Sequence, residues 1–159
     1  MLHMTASILD YRGCGECTWC CYFPAIQKYG SPANELCRHC KNGCEIYTDR
    51  PDGCRNFNCL WKRQLQIPEA FRPDRCGVMF ELPDYCKTYV GHVIPGSEAH
   101  KSAAVQVLIQ KILEAGDAVV IDNVEKQEHI FYLPTGMTKD DVLQDIGQAL
   151  DRYKLEGRA

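Results

Sequence analysis

Hydrophobic positions recur regularly only in the second half of the chain. Residues 77–82 (GVMFEL) and 87–94 (KTYVGHVI) are strand-like, with Pro83 and Asp84 between them as turn material and Pro95-Gly96 ending the second run. Val105, Leu108, Ile109, Ile112 and Leu113 then recur at helical spacing, and Gly116 closes that helix. Residues 118–121 and 129–133 form two more strand-like runs around a polar turn over 122–127. Thr138 and Asp141 make a variant of the capping box, opening a helix whose apolar face is Val142, Ile146, Ala149, Leu150 and Tyr153. The order β-β-α-β-β-α predicts a small α+β domain over residues 75–156, most simply two helices on one face of an antiparallel sheet.

The first half keeps no such time. From Tyr11 to about Trp61 neither the helical nor the strand period is sustained, and five glycines and three prolines interrupt the stretch. So short a segment with few large aliphatics cannot offset its ordering entropy by apolar burial alone. Cross-links through metal ions are the usual remedy. The predicted organisation is therefore an irregular module over 11–63, then a connector containing Pro68 and Pro73, then the α+β domain.

Cysteine content supports that division. The chain holds 11 cysteines; nine fall between Cys14 and Cys59, and none follows Cys86. The opening residues, 1–10, lack the basic flank and apolar stretch of an export signal, and no apolar run is long enough to span a bilayer. The expectation is a cytoplasmic protein in a reducing compartment, where multiple disulfides do not persist. An odd cysteine count points the same way.

Charge divides with the cysteines. Residues 1–76 carry ten Lys and Arg against eight Asp and Glu, residues 77–159 eight against thirteen, for a net charge of −3. Neither half shows the concentrated basic stripe of a nucleic-acid surface. Arg12, Arg38, Lys41, Arg50, Arg55, Lys62 and Arg63 could instead balance a cluster of thiolates, which stays anionic after divalent ions bind.

The cysteine spacings carry the chemistry. Cys14, Cys17, Cys20 and Cys21 come within eight positions, followed by Cys37, Cys40, Cys44, Cys54 and Cys59. A two-residue gap lets a tight turn aim two sulfurs at one ion about 2.3 Å from each. Cys20 and Cys21 are adjacent and diverge, which suggests a second ion or a polynuclear centre. Spacing leaves three arrangements open: a zinc ribbon of Cys14, Cys17, Cys37 and Cys40, a multinuclear zinc cluster, or an iron–sulfur cluster. His39 is a weaker candidate ligand, while Cys76 and Cys86 read as buried or free thiols.

The segments CGECTWCC and CRHCKNGCEIYTDRPDGCRNFNCLW resemble the YkgJ-like cysteine-cluster family, described as a zinc- or iron-chelating CxxCxxCC domain. The resemblance covers about residues 14–61 and implies eight ligands: Cys14, Cys17, Cys20, Cys21, Cys37, Cys44, Cys54 and Cys59. Ile46, Tyr47, Arg50 and Pro51 match the intervening signature; Cys40 stands where that family has an aliphatic residue. A related cluster in the longer flagellin lysine methylases is regarded as an iron–sulfur site, but nothing here resembles a methyl-donor site. Within the signature, Arg50 or Arg55 could donate to sulfur, and Tyr47, Phe57 and Trp61 are expected to form an apolar lid.

Nothing in the chain resembles a phosphate loop, a nucleophile elbow or a zinc-protease helix. The expectation is a non-catalytic metal-binding protein holding zinc, placed ahead of an iron–sulfur centre. The expected role is structural or partner-docking; the partners expected are the metal ion and, for the docking role, a protein, with no nucleic acid or membrane. An iron–sulfur redox or enzyme-accessory protein, or a metal storage, transfer or sensing protein, is the alternative.

Overall fold

Among its described residues the aperiodic first half folds without long elements. In a computed structural model, which describes residues 12–57 and 59–156, the chain divides into two compact units, Met1–Met79 and Phe80–Ala159. Tyr11, where the first domain was expected to begin, and the segment read for an export signal lie outside the described residues.

Among its described residues the first unit contains three short helices, α1 (Asp52–Asn56), α2 (Leu60–Arg63) and α3 (Pro73–Cys76). Single 3-10 turns occur at Trp19–Cys21, Gln27–Tyr29 and Glu69–Phe71. Proline sets two of the starts: Pro51 caps α1, and Pro73 fixes the first residue of α3, where its missing N–H costs nothing. Gly77 ends α3 in the left-handed region at φ 76°. Trp19, Tyr22 and Phe23 pack ring against ring at 5.1–5.8 Å. Arg12 holds the segment after α2: its guanidinium lies 4.2 Å from the Trp61 ring and donates to the carbonyls of Trp61, Gln64 and Ile67. A cation there satisfies carbonyls that the helix end leaves unpaired.

The second unit is built on strand periodicity. β1 (Val78–Glu81), β2 (Tyr89–Val93), β3 (Val119–Asn123) and β4 (Glu128–Tyr132) form one sheet in the order β1-β2-β3-β4. The division between units falls inside β1. Two long helices follow their predicted positions, α4 (Ala103–Glu114) and α5 (Lys139–Leu155). Ser102 caps α4 by accepting from the Val105 N–H, and the Thr138–Asp141 capping box starts α5 with both of its hydrogen bonds formed.

Two details of the expected sheet are corrected. β2 and β3 run parallel, Tyr89 opposite Val119 and His92 opposite Asp122, while β3 and β4 run antiparallel. The sheet is mixed because α4 lies between β2 and β3 and carries the chain back to the same edge, as a parallel crossover requires. Nor do the helices share a face. Val142 of α5 packs against Ala118 and Val120, whereas Gln106 of α4 donates to the hydroxyl of Tyr132, the partner of Val119. Alternate residues of β3 point to opposite faces, so one helix covers each. Val119 and Ile121 are fully buried as a result. Gly91 allows the close approach beneath β2, since a Cβ there would lie 2.7 Å from Ile121 and 2.9 Å from Phe80. Leu150, expected on the buried face of α5, is 54% exposed. Among the described residues no helix is long and apolar enough to cross a membrane.

Candidate functional site

Local turns and two helix starts position the cysteines. Cys14 and Cys17 close a turn in which the Cys17 N–H donates to the Cys14 carbonyl at 3.1 Å, and Cys20 and Cys21 occupy the 3-10 turn that follows. Cys37 and Cys40 close a second turn at 2.9 Å, and the Cys37 N–H donates to the Cys21 carbonyl at 2.8 Å, joining the two segments. Cys40 and Cys44 face each other as a bridge pair. Cys54 lies in α1, and Cys59 is the residue on which α2 begins.

The thiols form one electrostatic neighbourhood with Cys20 at its centre. Cys20 hydrogen-bonds Cys21, and its charge bears on Cys14, Cys17, Cys54 and Cys59. Cys59 also feels Cys14 and Cys17, while Cys54 feels Cys37 and Cys44. Cys21 shares a hydrogen bond with Cys40. All eight expected ligands are thus neighbours, and Cys40 joins them. Cys37 and Cys40 are buried with Ile26, and Cys21, Tyr29 and Cys54 pack on them.

Burial is the largest influence on most of these thiols, pushing Cys14 and Cys54 up, Cys17 to about 11 and Cys59 to about 12. Backbone N–H groups oppose it: those of Trp19 and Asp74 point at the Cys17 sulfur and that of Lys62 at Cys59. Cys20 differs. The hydrogen bond from Cys21, aided by the charges of Arg50 and Lys62, brings it down to about 7, and the same bond drives Cys21 upward.

Lys62 is the unusual cation. It is only 8% exposed, and its Nζ lies 3.4 Å from the Tyr47 hydroxyl. Among the described residues no carboxylate stands within ion-pair distance of it. Its charge instead bears on Cys14 and Cys20.

Other expected roles are redistributed. Arg50 lies 3.6 Å over the Tyr47 ring and donates to the Tyr47 carbonyl at 2.9 Å, acting on sulfur through its charge. Arg55 donates to the carbonyls of Arg50 and Thr48 at 2.7 and 2.6 Å, so its head group fastens the 48–55 loop rather than a sulfur. Trp61 is buried, but Tyr47 is 49% exposed and does not close an apolar lid. The His39 ring stands edge-on to Tyr29 at 4.7 Å. The Cys76 thiol donates to the Val78 carbonyl at 3.0 Å and the Cys86 thiol to Asp145 at 3.1 Å.

Sequence reasoning overlooked Arg72 and Asp74, which reach Cys14 by charge and Cys17 by a backbone N–H. The readable signal was Arg72-Pro73-Asp74, a helix start whose free N–H groups seek an acceptor. All 11 cysteines are free thiols. As placed, they neighbour one another without converging: among the described residues no three Cys, His, Asp or Glu side chains are gathered to hold one ion. The sulfurs are soft donors, and the cations Arg50, Lys62 and Arg72 stand beside them. No family model, curated protein or solved structure matches the chain.

Proposed function

We propose that residues 14–59 form a metal-binding module in a reducing compartment. It holds zinc, or an iron–sulfur centre, through Cys14, Cys17, Cys20, Cys21, Cys37, Cys44, Cys54 and Cys59, with a structural or partner-docking role rather than a catalytic one. The observation that carries this reading is buried Lys62 beside Cys14 and Cys20, with no carboxylate at hand among the described residues. Removing an ammonium from water costs several kcal/mol unless an anion compensates. Thiolates are the anions within reach, and a bound metal keeps thiolates ionised despite burial.

The resemblance to the YkgJ-like motif supports the same conclusion. Zinc, when bound, supplies a four-sulfur cross-link with no open position for substrate. The chain's own groups contribute the remainder: N–H groups of Trp19, Asp74 and Lys62 orient Cys17 and Cys59, and Arg50 and Lys62 offset the negative charge. Because the sulfurs do not converge as placed, loading and local ordering are coupled.

Anaerobic purification with elemental analysis and a visible spectrum tests the proposal. About two zinc ions in a colourless protein is the expected result, from four thiolates per ion. A brown protein with iron and acid-labile sulfide selects the iron–sulfur form. A protein that neither retains nor takes up either metal overturns the reading.

A further inference from the structure

The sheet of the second unit carries a row of charged side chains, one from each strand. Glu81 of β1 meets His92 of β2, with Oε1 2.8 Å from Nε2; His92 Nδ1 lies 3.3 Å from Asp122 Oδ2 on β3; Asp122 Oδ1 lies 3.3 Å from His129 Nε2 on β4. The register produces the row, because Asp122 is the direct partner of His92 on one side and of His129 on the other. The side chains of Glu81, His92 and Asp122 are 21%, 16% and 22% exposed, while His129 is 62% exposed at the open end.

The geometry decides the state of His92. An ionised carboxylate only accepts hydrogen bonds, and a neutral imidazole has one N–H and one lone pair. With a carboxylate oxygen at each ring nitrogen, a neutral His92 would turn a lone pair toward one of them. Only the imidazolium satisfies both.

We propose that this row is a proton-operated fastener of the sheet: the imidazolium of His92 ties edge strand β1 to β3 across β2, and loss of its proton to solvent releases β1 first. β1 yields before β3 because an edge strand is hydrogen-bonded along one side only, whereas β3 retains β4. The charged groups that bear on His92 include Glu81 from β1 and Asp122 from β3, with His129 from β4 competing for Asp122. Burial alone would lower the imidazole, but its bonds to Asp122 and Glu81 outweigh that and bring it to about 9. His92 in turn holds the Asp122 carboxyl below its ordinary value. Since the folded value lies above the ordinary 6.5, the contribution of His92 is complete below pH 6.5 and is lost as pH rises toward 9. In acid the fastening weakens again, when Asp122 takes up a proton below its ordinary 3.8.

An NMR pH titration of the full chain tests this, following the His92 ring proton together with hydrogen exchange of the β1 amides. His92 should titrate more than one pH unit above an ordinary histidine, and Asp122→Asn and Glu81→Gln should each lower its midpoint. Across that titration, β1 protection should fall by about tenfold once the intrinsic rise of exchange with pH is divided out, the change equivalent to one pKa unit. Protection of β3 should hold. The wild-type measurement stands even where a variant fails to fold. An ordinary His92 midpoint, or β1 protection that ignores the His92 transition, overturns the proposal.

Discussion

Residues 80–156 bury Val93, Val105, Ile109, Val119, Val120, Ile121 and Val142 between one sheet and two helices, the longer of 17 residues. Residues 12–79 bury Phe23, Ile26, Leu60, Trp61 and Ile67, and Val78 and Met79 where β1 begins, but with them Cys37, Cys40 and Cys59, and among the described residues no helix there exceeds five residues. The two stretches are nearly equal in length, so size does not separate them. What separates them is where the branched aliphatics lie: the second unit can recover its ordering entropy from apolar area, whereas the first gathers side chains whose burial is unfavourable to their charged form. One half is held by packing; on the proposed reading, the other half relies on what its sulfurs bind.

The largest expected effect breaks the comparison if it fails. Chelation under reducing conditions should melt the first unit and leave the second, since structural zinc sites contribute on the order of 10 kcal/mol to folding. Amide NMR reads both at once: resonances of 80–156 should keep their positions while those of 14–63 collapse. Uniform loss, or none, removes the distinction between a packed unit and a metal-held one. Cys20→Ser should reproduce much of this loss and lower metal content, because Cys20 neighbours both Cys14/Cys17/Cys59 and Cys54. Cys76→Ser should leave metal content unchanged, its thiol being turned to the Val78 carbonyl.

Ile121→Ala probes the other half. Ile121 is fully buried and packs against the gap left by Gly91. Its truncation should cost about 2–5 kcal/mol of unfolding free energy in denaturant, without changing bound metal.

Legibility in the sequence follows the same divide. All six elements of β-β-α-β-β-α were readable because the apolar positions that define them also meet the core: Val105, Ile109 and Ile112 on α4, Val142 and Ala149 on α5. Sheet direction was not readable, since periodicity says which residues share a face and not which strand lies beside them. The helix faces were missed for the same reason; Ala118/Val120 and Val119/Ile121 are equally apolar, and only Gln106 meeting Tyr132 shows which helix takes which side. In the first unit, spacing singled out the cysteines that become neighbours. It could not reveal that Lys62, one of seven cations noted, would be the buried one, because burial there depends on α2 and the Tyr47 loop meeting.

Lys62→Met sharpens the charge argument, with a sign that distinguishes two states of the sulfurs. If the cluster is ionised and metal-bound, removing the ammonium deprives Cys14 and Cys20 of a neighbouring positive charge. Metal affinity should then fall about tenfold, or roughly 1.4 kcal/mol. If the thiols are neutral, Lys62 is an uncompensated buried charge, and methionine should stabilise the unit by about 1–3 kcal/mol. Competition with a chromophoric chelator, beside denaturation of the same sample, separates the two outcomes.

The smallest effect tests whether α5 owes its start to its own sequence. Thr138 Oγ accepts from the Asp141 N–H at 3.2 Å, and Asp141 Oδ2 accepts from the Thr138 N–H at 2.8 Å and its hydroxyl at 2.7 Å. Both partners are local, so the box does not depend on the sheet. Thr138→Ala should cost about 1 kcal/mol and Thr138→Ser much less, because serine retains the accepting oxygen. Cys59 begins α2 in the corresponding place, but its sulfur has other neighbours, Cys14, Cys17 and Cys20. Replacing Cys59 with serine, itself a favoured cap, should therefore be destabilising where cap preference alone would make it neutral or better. Denaturation midpoints of the two serine variants, measured side by side, show whether a helix start in the first unit serves the helix or the sulfur cluster.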